Sequence, residues 1–516
     1  MSYCSLLLTV MMCVFGRSLS WGQPVGLDST WSDDGRLSAD FSGGDDQARA
    51  VRVLADGRVL VAGSYLSAVD TGVMVARYLV NGDQDPSFGT NGMLNIDARG
   101  SVDVELLSDG AFLLATACSD GGDLDICLMR FTAAGEFDLD FGVNGRVLVP
   151  LTTGDDRLTC MSMGGGIITL LVETPDGQRC VRLLVDGTLD GSFSQDGVTD
   201  VGEIPITAVA IAHPPDNGVV LVGAVAQLFA LARLDPDGEL DLDFGIGGSR
   251  IDLQDFAYGS SARAVVVNDA GDLLVAGYAW GSQTGSEDMV LLRYDASGER
   301  VPTFGVNGFF RRSMNDGHDR ASAIGIQSSG SILVTGDYYA NGAQGATGCW
   351  AIRCTPDGVE DPTFADGQPW SEGAVRFRFT TDEDLTTCTA MDIAPNDAVL
   401  VVGYSTVDQN NDMGIVRIHS GTVVTDVHGS IFATWDQVAA PNPFFNSTQV
   451  TLNGAVAGSI SFELFDARGD KLRSWSVFAA EGRSSQEIDL SGTGPGSYTL
   501  VVTRGTHHRT LRLIRL

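Results

Sequence analysis

Short apolar runs recur from Ala48 to Ile418, each bounded by Gly, Asp, Asn or Ser, as in Val59-Leu60-Val61-Ala62 and Ile332-Leu333-Val334. Runs this short, rich in β-branched residues and bounded by turn formers, predict strands rather than helices. Many follow an Asp-Gly or Ser-Gly pair, as at Asp56-Gly57 and Ser329-Gly330. Such a pair is a hairpin turn that feeds a buried strand.

The runs also repeat with a longer period. An arginine closes an apolar run, an Asp-Gly turn follows, then Asp-x-Asp-Phe-Gly and a second glycine turn; Arg233 to Gly248 has this form. It recurs at Arg77 to Gly92 and Arg130 to Gly145, and more weakly at Arg182 to Gly197, Arg293 to Gly308 and Arg353 to Gly367. Two markers keep the register: Arg77, Arg130, Arg182, Arg233, Arg293, Arg353 and Arg417, and Phe41, Phe88, Phe141, Phe193, Phe244, Phe304 and Phe364. Seven units of four short strands predict an all-β fold, a seven-bladed β-propeller of four-stranded blades. In the second unit the strands are expected at Gly92 to Ile96, Val102 to Leu107, Ala111 to Ala117 and Ile126 to Phe131. The first unit is a strand short. The β-branched run Thr422 to Val427 is expected to complete it and close the ring, because an open ring leaves two unpaired edges.

Composition narrows the partners. The 516-residue chain carries a net charge of -34, which repels nucleic acid and anionic lipid alike. Lys471 is its only lysine. Residues 1–22 read as an export signal, with Leu6 to Phe15 as the apolar core and small residues from Ser18 to Gly22. No other stretch is long and apolar enough to span a bilayer, and the exported chain is expected to be a monomer. Nine cysteines become seven once Cys4 and Cys13 leave with the signal, so at least one stays unpaired. Cys118 and Cys127, facing each other across a loop, are the first candidates for a disulfide, whereas Cys349 and Cys354 sit on one strand and face opposite ways. Small buried apolar side chains account for all seven equally well.

The repeated arginines invite an anion-binding role, but five of the seven are followed by a turn carboxylate: Asp85, Asp138, Asp190, Asp241 and Asp361. Bracing that turn is the expected role. Val301 stands where the fifth turn should have its aspartate, so Arg293 needs another partner. Aromatics cluster after the central strand of several units, at Tyr65, Tyr278, Trp280, Tyr338, Tyr339 and Tyr404. Rotational symmetry puts them at one end of the ring, where they form a candidate surface for a glycan or an extended peptide. Asp120-Gly-Gly-Asp123-Leu-Asp125 and Asp382-Glu-Asp384 are oxygen-rich enough to raise calcium, yet neither matches a twelve-residue calcium loop; no cofactor is expected. No catalytic motif is present. His318 beside Asp319 is the one adjacent acid–base pair, and a surface turn explains it.

Composition changes near Val438, beyond which Lys plus Arg number 8 and Asp plus Glu 6. Strands are expected at Gln449 to Leu452, Ser459 to Phe465, Lys471 to Phe478, Ser485 to Leu490, Ser497 to Thr503 and His508 to Leu513, fitting a small Ig-like β-sandwich. Pro441-Asn442-Pro443, Asp466 with Gly469, and Gly496 with Tyr498 then carry a resemblance. The tail resembles the type A C-terminal sorting domain of the type IX secretion system, which implies recognition by that machinery at the outer membrane. Asp-Gly-x-Leu-Asp-x-x-Phe-Gly and Asp-Gly-x-x-Leu-Val-Ala-Gly resemble the delta-60 repeat family of predicted propellers, which implies a fold and no settled activity. The expected layout is a signal at 1–22, propeller at 23–427, linker at 428–440 and sorting sandwich at 441–516. The expected role is a secreted or surface-held binding protein without catalysis. A polysaccharide hydrolase or lyase using carboxylates from several blades, and a structural surface-layer component, are the alternatives.

Overall fold

The computed structural model describes residues 26–419 and 436–515, apart from 68–69, 120–121, 203, 253–258, 282–284, 315–316, 340–346, 365–372, 381–384, 408–409, 441–445, 456–457, 467–470, 480–481 and 505–506. The chain divides into two compact units, and the described part of the first, within residues 26–364 and 373–418, contains seven four-stranded antiparallel sheets. We call them blades 1 to 7 and their strands a to d from the axis outward. Blade 1 is Asp45–Val53, Val59–Leu66, Thr71–Tyr78 and Met93–Ile96; blade 2 is Arg99–Leu106, Phe112–Ser119, Leu124–Phe131 and Arg146–Val149. Blade 3 is Arg157–Gly164, Ile167–Thr174, Gly177–Leu184 and Val198–Asp200; blade 4 is Thr207–Ala212, Val219–Val225, Leu228–Leu234 and Ser249–Ile251. Blade 5 is Ser260–Val267, Leu273–Trp280, Glu287–Tyr294 and Phe309–Arg312; blade 6 is His318–Ile326, Ile332–Tyr339, Gly348–Cys354 and Ala374–Phe377. Each strand a touches strand a of the next blade, and that of blade 7 touches that of blade 1, so the ring is closed.

Strands b and c are apolar on both faces because each face meets a neighbouring blade. Leu60, Ala62, Val73 and Val75 of blade 1 pack with Val104, Leu114 and Phe131 of blade 2. The alternate residues Val59, Val61 and Met74 pack with Leu400, Val402 and Ile415 of blade 7. Each such valine, leucine, isoleucine, methionine or phenylalanine side chain contributes about 1.5–3 kcal/mol on burial. The Val-Ala-Gly end of strand b also has a backbone cause. Strand a of blade 1 bulges between Ala48 and Ala50, and Gly63 stands opposite, where a Cβ would come within 2.3 Å of the Gln47 carbonyl oxygen. Blades 5 and 6 repeat the device with Gly277 and Gly336.

Ring closure differs from the sequence expectation. Blade 7 takes Leu385–Ile393, Val399–Val407 and Asn410–Ile418 from late in the chain, and its outermost strand, Arg36–Ala39, from before blade 1. Leu37 pairs with Ile415 and Ala39 with Met413. Ahead of that strand, Asp28-Ser29-Thr30-Trp31 repeats the turn Asp85-Pro86-Ser87-Phe88 with tryptophan for phenylalanine. The Asp28 N–H donates to the Arg417 carbonyl at 2.9 Å, as Asp85 does to Arg77, and Trp31 is fully buried. Residues 422–427, expected to close the ring, lie outside the described residues, and blade 1 is complete without them. Phe41 is out of register; Trp31 holds the seventh marker position, and the Phe41 N–H donates instead to Asp46. The strand at 93–96, assigned from sequence to the second unit, is the outer strand of blade 1, so the true blade boundary falls one strand later.

The marker arginines tie blades together. Arg77 Nε pairs with Asp85 at 2.8 Å, its guanidinium lies 4.6 Å from the Phe88 ring centre, and Nη1 donates to the Ala133 carbonyl in the c–d turn of blade 2. Arg182 repeats the carboxylate and ring contacts with Asp190 at 2.8 Å and Phe193 at 4.4 Å, and its Nη1 donates to the Asn217 carbonyl in the a–b turn of blade 4. Arg353 makes the carboxylate and ring contacts with Asp361 at 2.9 Å and Phe364 at 5.0 Å. Arg130 pairs with Asp138 at 3.0 Å and Arg233 with Asp241 at 3.3 Å. Arg293, facing Val301, takes Asp272 at 2.9 Å and the Pro356 carbonyl of blade 6 at 3.3 Å.

Among the described residues there are two disulfides. Cys118–Cys127 joins strands b and c of blade 2, and Cys349–Cys388 joins blade 6 to blade 7. The second pairing was not foreseen, because its cysteines meet only across the blade boundary.

The second unit has a three-stranded sheet, in order Asp436–Ala440, Ser447–Ala455 and Gly482–Asp489, and a four-stranded sheet, in order Lys471–Ala479, Gly458–Phe465, Gly496–Arg504 and His507–Arg515. Val450 and Ile488 from the first share a buried core with Phe462, Leu500 and Leu513 from the second. All six strands expected from sequence are there. A seventh, at 436–440, occupies part of the stretch read as linker. Tyr498 is buried in this core, with its hydroxyl donating to the Gly494 carbonyl. Pro441, Asn442, Pro443 and Gly469 lie outside the described residues, and Asp466 follows the strand ending at Phe465.

Candidate functional site

The meander puts the b–c hairpins and d–a connections at one end of the ring and the a–b and c–d turns at the other. All six aromatics singled out from sequence lie on strand b, toward the hairpin end. The structure gathers three of them. Arg320, at the head of strand a in blade 6, has its guanidinium 5.1 Å from the Tyr278 ring centre and 5.5 Å from that of Tyr339. Trp280 lies 5.6 Å from His318, which meets Tyr339 edge-on at 6.4 Å. Glu287, paired across the strand with Trp280, accepts from Arg320 and sits 3.2 Å from His318 Nδ1. Arg320 and His318 keep over a third of their side-chain surface exposed. Together these residues make a half-open patch of aromatic faces around an ion pair.

Tyr65 and Tyr338 do something else. Each lies over a glycine of strand c in its own blade, so that a Cβ at Gly72 or Gly348 would strike the ring at 2.6–2.8 Å. Tyr404 pairs in register with Met413 of blade 7. His318 and Asp319 are not partners in acid–base work, because Asp319 accepts the Met314 N–H at 2.7 Å and serves the d–a connection. Asp46 and Asp156 do the same for residues 41–42 and 151–152. This recurrent carboxylate escaped the sequence reading, although Gly44-Asp45-Asp46, Gly154-Asp155-Asp156 and Gly317-His318-Asp319 carry its signal. Glu287 and Arg320 were also missed, since nothing in the sequence marks two residues that meet only across blades.

Beneath the patch, Asp337 is buried and accepts the Cys388 N–H at 2.6 Å. Burial pushes its carboxyl up to about 7, against the opposing pull of that N–H and of Arg320. Asp337 is close enough to Cys349 and Cys388 to form a three-ligand metal set, but those sulfurs are joined to each other and so are not available as thiolate ligands. Near the axis, Arg52 binds Glu105 at 2.9 Å and lies 3.7 Å from Asp103, stitching blade 1 to blade 2. Of the acidic loops that raised calcium, Asp120 and residues 382–384 lie outside the described residues.

The family model described as "Secretion system C-terminal sorting domain" matches residues 439–515. "Domain of unknown function (DUF5122) beta-propeller" matches residues 54–88 and 215–244. No curated protein matches the chain. Among solved structures, virginiamycin B lyase from Staphylococcus aureus is similar at 12% identity and TM-score 0.45, over 74% of this chain and 98% of that one. The β-propeller domain of the Trilobed protease from Pyrococcus furiosus is similar at 8% identity and TM-score 0.39, over 77% and 100%. A fungal alcohol oxidase of the AA5 family, in complex with copper, follows at 12% and 0.42, over 93% and 99%. These likenesses bear on no activity. Among the described residues no helix is long and apolar enough to cross a membrane. The chain is a β-propeller of DUF5122 repeats with a type IX secretion C-terminal sorting domain, which engages the secretion machinery and sends the protein across the outer membrane to the surface or the medium.

Proposed function

We propose that the protein is a non-enzymatic binding protein whose ligand, a glycan, seats on the hairpin end of blades 5 and 6. One observation carries this reading: Arg320 held between Tyr278 and Tyr339, with Trp280 and His318 alongside. Aromatic faces cover the apolar face of a sugar ring, while a guanidinium and a carboxylate fixed by each other present donors and acceptors to its hydroxyls. The signal at 1–22 is removed on export, the tail from 441 is removed at or after the outer membrane, and the propeller acts as a monomer. An extended peptide on the same patch is the alternative ligand within this reading.

The contact between Glu287 and His318 favours a second reading, in which the pair works as acid and base in a polysaccharide hydrolase or lyase. A glycan array and a reducing-sugar release assay, run on the full chain and on Trp280→Ala, separate the two. Binding without release, lost in Trp280→Ala, supports the proposal. Release that disappears in Glu287→Gln supports the second reading. Neither binding nor release contradicts both and leaves a structural surface role.

A further inference from the structure

The opposite end of the ring has a different character. Its c–d turns expose aliphatic side chains: Leu139 and Val143 in blade 2, Leu242 and Ile246 in blade 4, Val306 in blade 5 and Val359 in blade 6. Their exposure runs from 58% for Val359 to 81% for Ile246. The turn does not require them, because its apolar demand is met by the buried phenylalanine, Phe141 or Phe244. At the place of Val143, Ile246 and Val306, the equivalent turns of blades 1 and 3 carry Thr90 and Gln195. Aliphatic surface held out in water where polar residues serve the fold equally well marks an interaction surface.

Charge selects the partner. The described residues of the six turns, 79–92, 132–145, 185–197, 235–248, 295–308 and 355–364, include 18 Asp and Glu against one Arg and no Lys. Five of those aspartates pair with strand arginines, and the rim stays strongly anionic. A second copy of this chain would bring the same sign of charge to the same place, and an anionic bilayer would be repelled as well. We propose that the c–d turn end of the propeller docks a basic polypeptide segment with aliphatic side chains interspersed among its cations. This surface is independent of the glycan patch, which lies at the other end of the blades.

The test uses the full chain and two synthetic peptides of equal charge, one alternating leucine with lysine and one alternating serine with lysine. Binding by fluorescence anisotropy should favour the leucine peptide by roughly tenfold, about 1.4 kcal/mol, and should weaken with salt. The triple variant Val143→Ser, Ile246→Ser, Val306→Ser keeps every charge and, at such exposed positions, should keep the thermal midpoint. It should lose the preference while still binding the serine peptide as the wild type does. Asp140→Asn with Asp243→Asn should weaken both peptides. Equal binding of the two peptides, no binding of either, a preference that survives in the triple variant, or stronger binding to phosphatidylglycerol vesicles would each overturn the proposal.

Discussion

Arg417, at the end of strand c in blade 7, donates through Nη1 to the carbonyl of Val80 in the c–d turn of blade 1, at 3.0 Å and across 337 residues of sequence. Its Nε lies 3.3 Å from Asp28, in the turn that begins the seventh blade's outer strand. One guanidinium therefore joins both ends of the propeller chain to the blade between them. Arg77 and Arg293 make the same reach to blades 2 and 6. The ring is held at its seam by the device that holds it elsewhere.

Trp31 should therefore matter far beyond its own turn. It is fully buried against the blade 1 turn, where a Cβ on Gly82 would approach its ring at 3.1 Å. Trp31→Ala should cost about 3–5 kcal/mol and lower the melting of the whole propeller in one transition. Calorimetry checks this; a variant that melts as the wild type does would show that the N-terminal segment is dispensable.

The braces should differ in strength with burial. Arg77 and Asp85 keep only 3% and 4% of their side-chain surface, whereas Arg130 and Asp138 keep 25% and 26%. Removing one partner of a buried pair costs about 3–5 kcal/mol, and an exposed pair is worth about 0–1 kcal/mol. Urea titration should rank Arg77→Ala as the more damaging of the two, and the reverse order would contradict the assignment.

Two carboxyls set opposite pH slopes. Burial alone would raise Asp85, but Ser87, Arg77 and Arg58 outweigh it and hold the group at about 2. Its contribution is present above the ordinary carboxyl range and is lost as the pH falls from about 4 toward 2. Asp337 runs the other way, because its folded carboxyl, near 7, keeps a proton that the unfolded chain releases near 3.8. Stability should fall as the pH rises from about 4 to 7 and then level off. Asp337→Asn, whose side-chain oxygen can still accept the Cys388 N–H, should remove that slope and gain most over the wild type above pH 7. Denaturation curves from pH 4 to 8 measure it, and parallel curves for the two proteins would refute the account.

The Cys349–Cys388 bond closes a 39-residue separation across the boundary of blades 6 and 7. Cys388→Ala should lower stability by about 2–4 kcal/mol. Cys180, whose thiol burial pushes up to about 12, should resist iodoacetamide, as should Cys354, which burial also raises. Mass spectrometry of alkylated native protein should find both unmodified until denaturant is added.

The count of blades was legible because arginine and phenylalanine recur at fixed points of a turn that every blade needs. Phase and closure were less so. The turn residues announce where strand c ends, yet they cannot say that strand d follows the turn within the same sheet, so strand 93–96 was given to the wrong blade. The seam was hidden by Trp31, which fills the phenylalanine place with another ring, and by the hundreds of residues between Asp28 and its partner Arg417. At the candidate site, periodicity located Tyr278, Trp280 and Tyr339 on one end of the ring. Glu287 and Arg320 join them only through packing between blades, and neither local pattern nor composition carries that information. The roles of Tyr65 and Tyr338 were equally hidden, since the glycine beneath each ring belongs to another strand.

Hydrogen exchange at residues 36–39 tests the closed seven-bladed ring most directly. If Arg36–Ala39 is the outer strand of blade 7, its amides that bond to Asn410–Ile418 should exchange slowly in the native protein, and Trp31→Ala should release both segments together. Fast exchange at 36–39 while all seven blades stay protected would contradict the account.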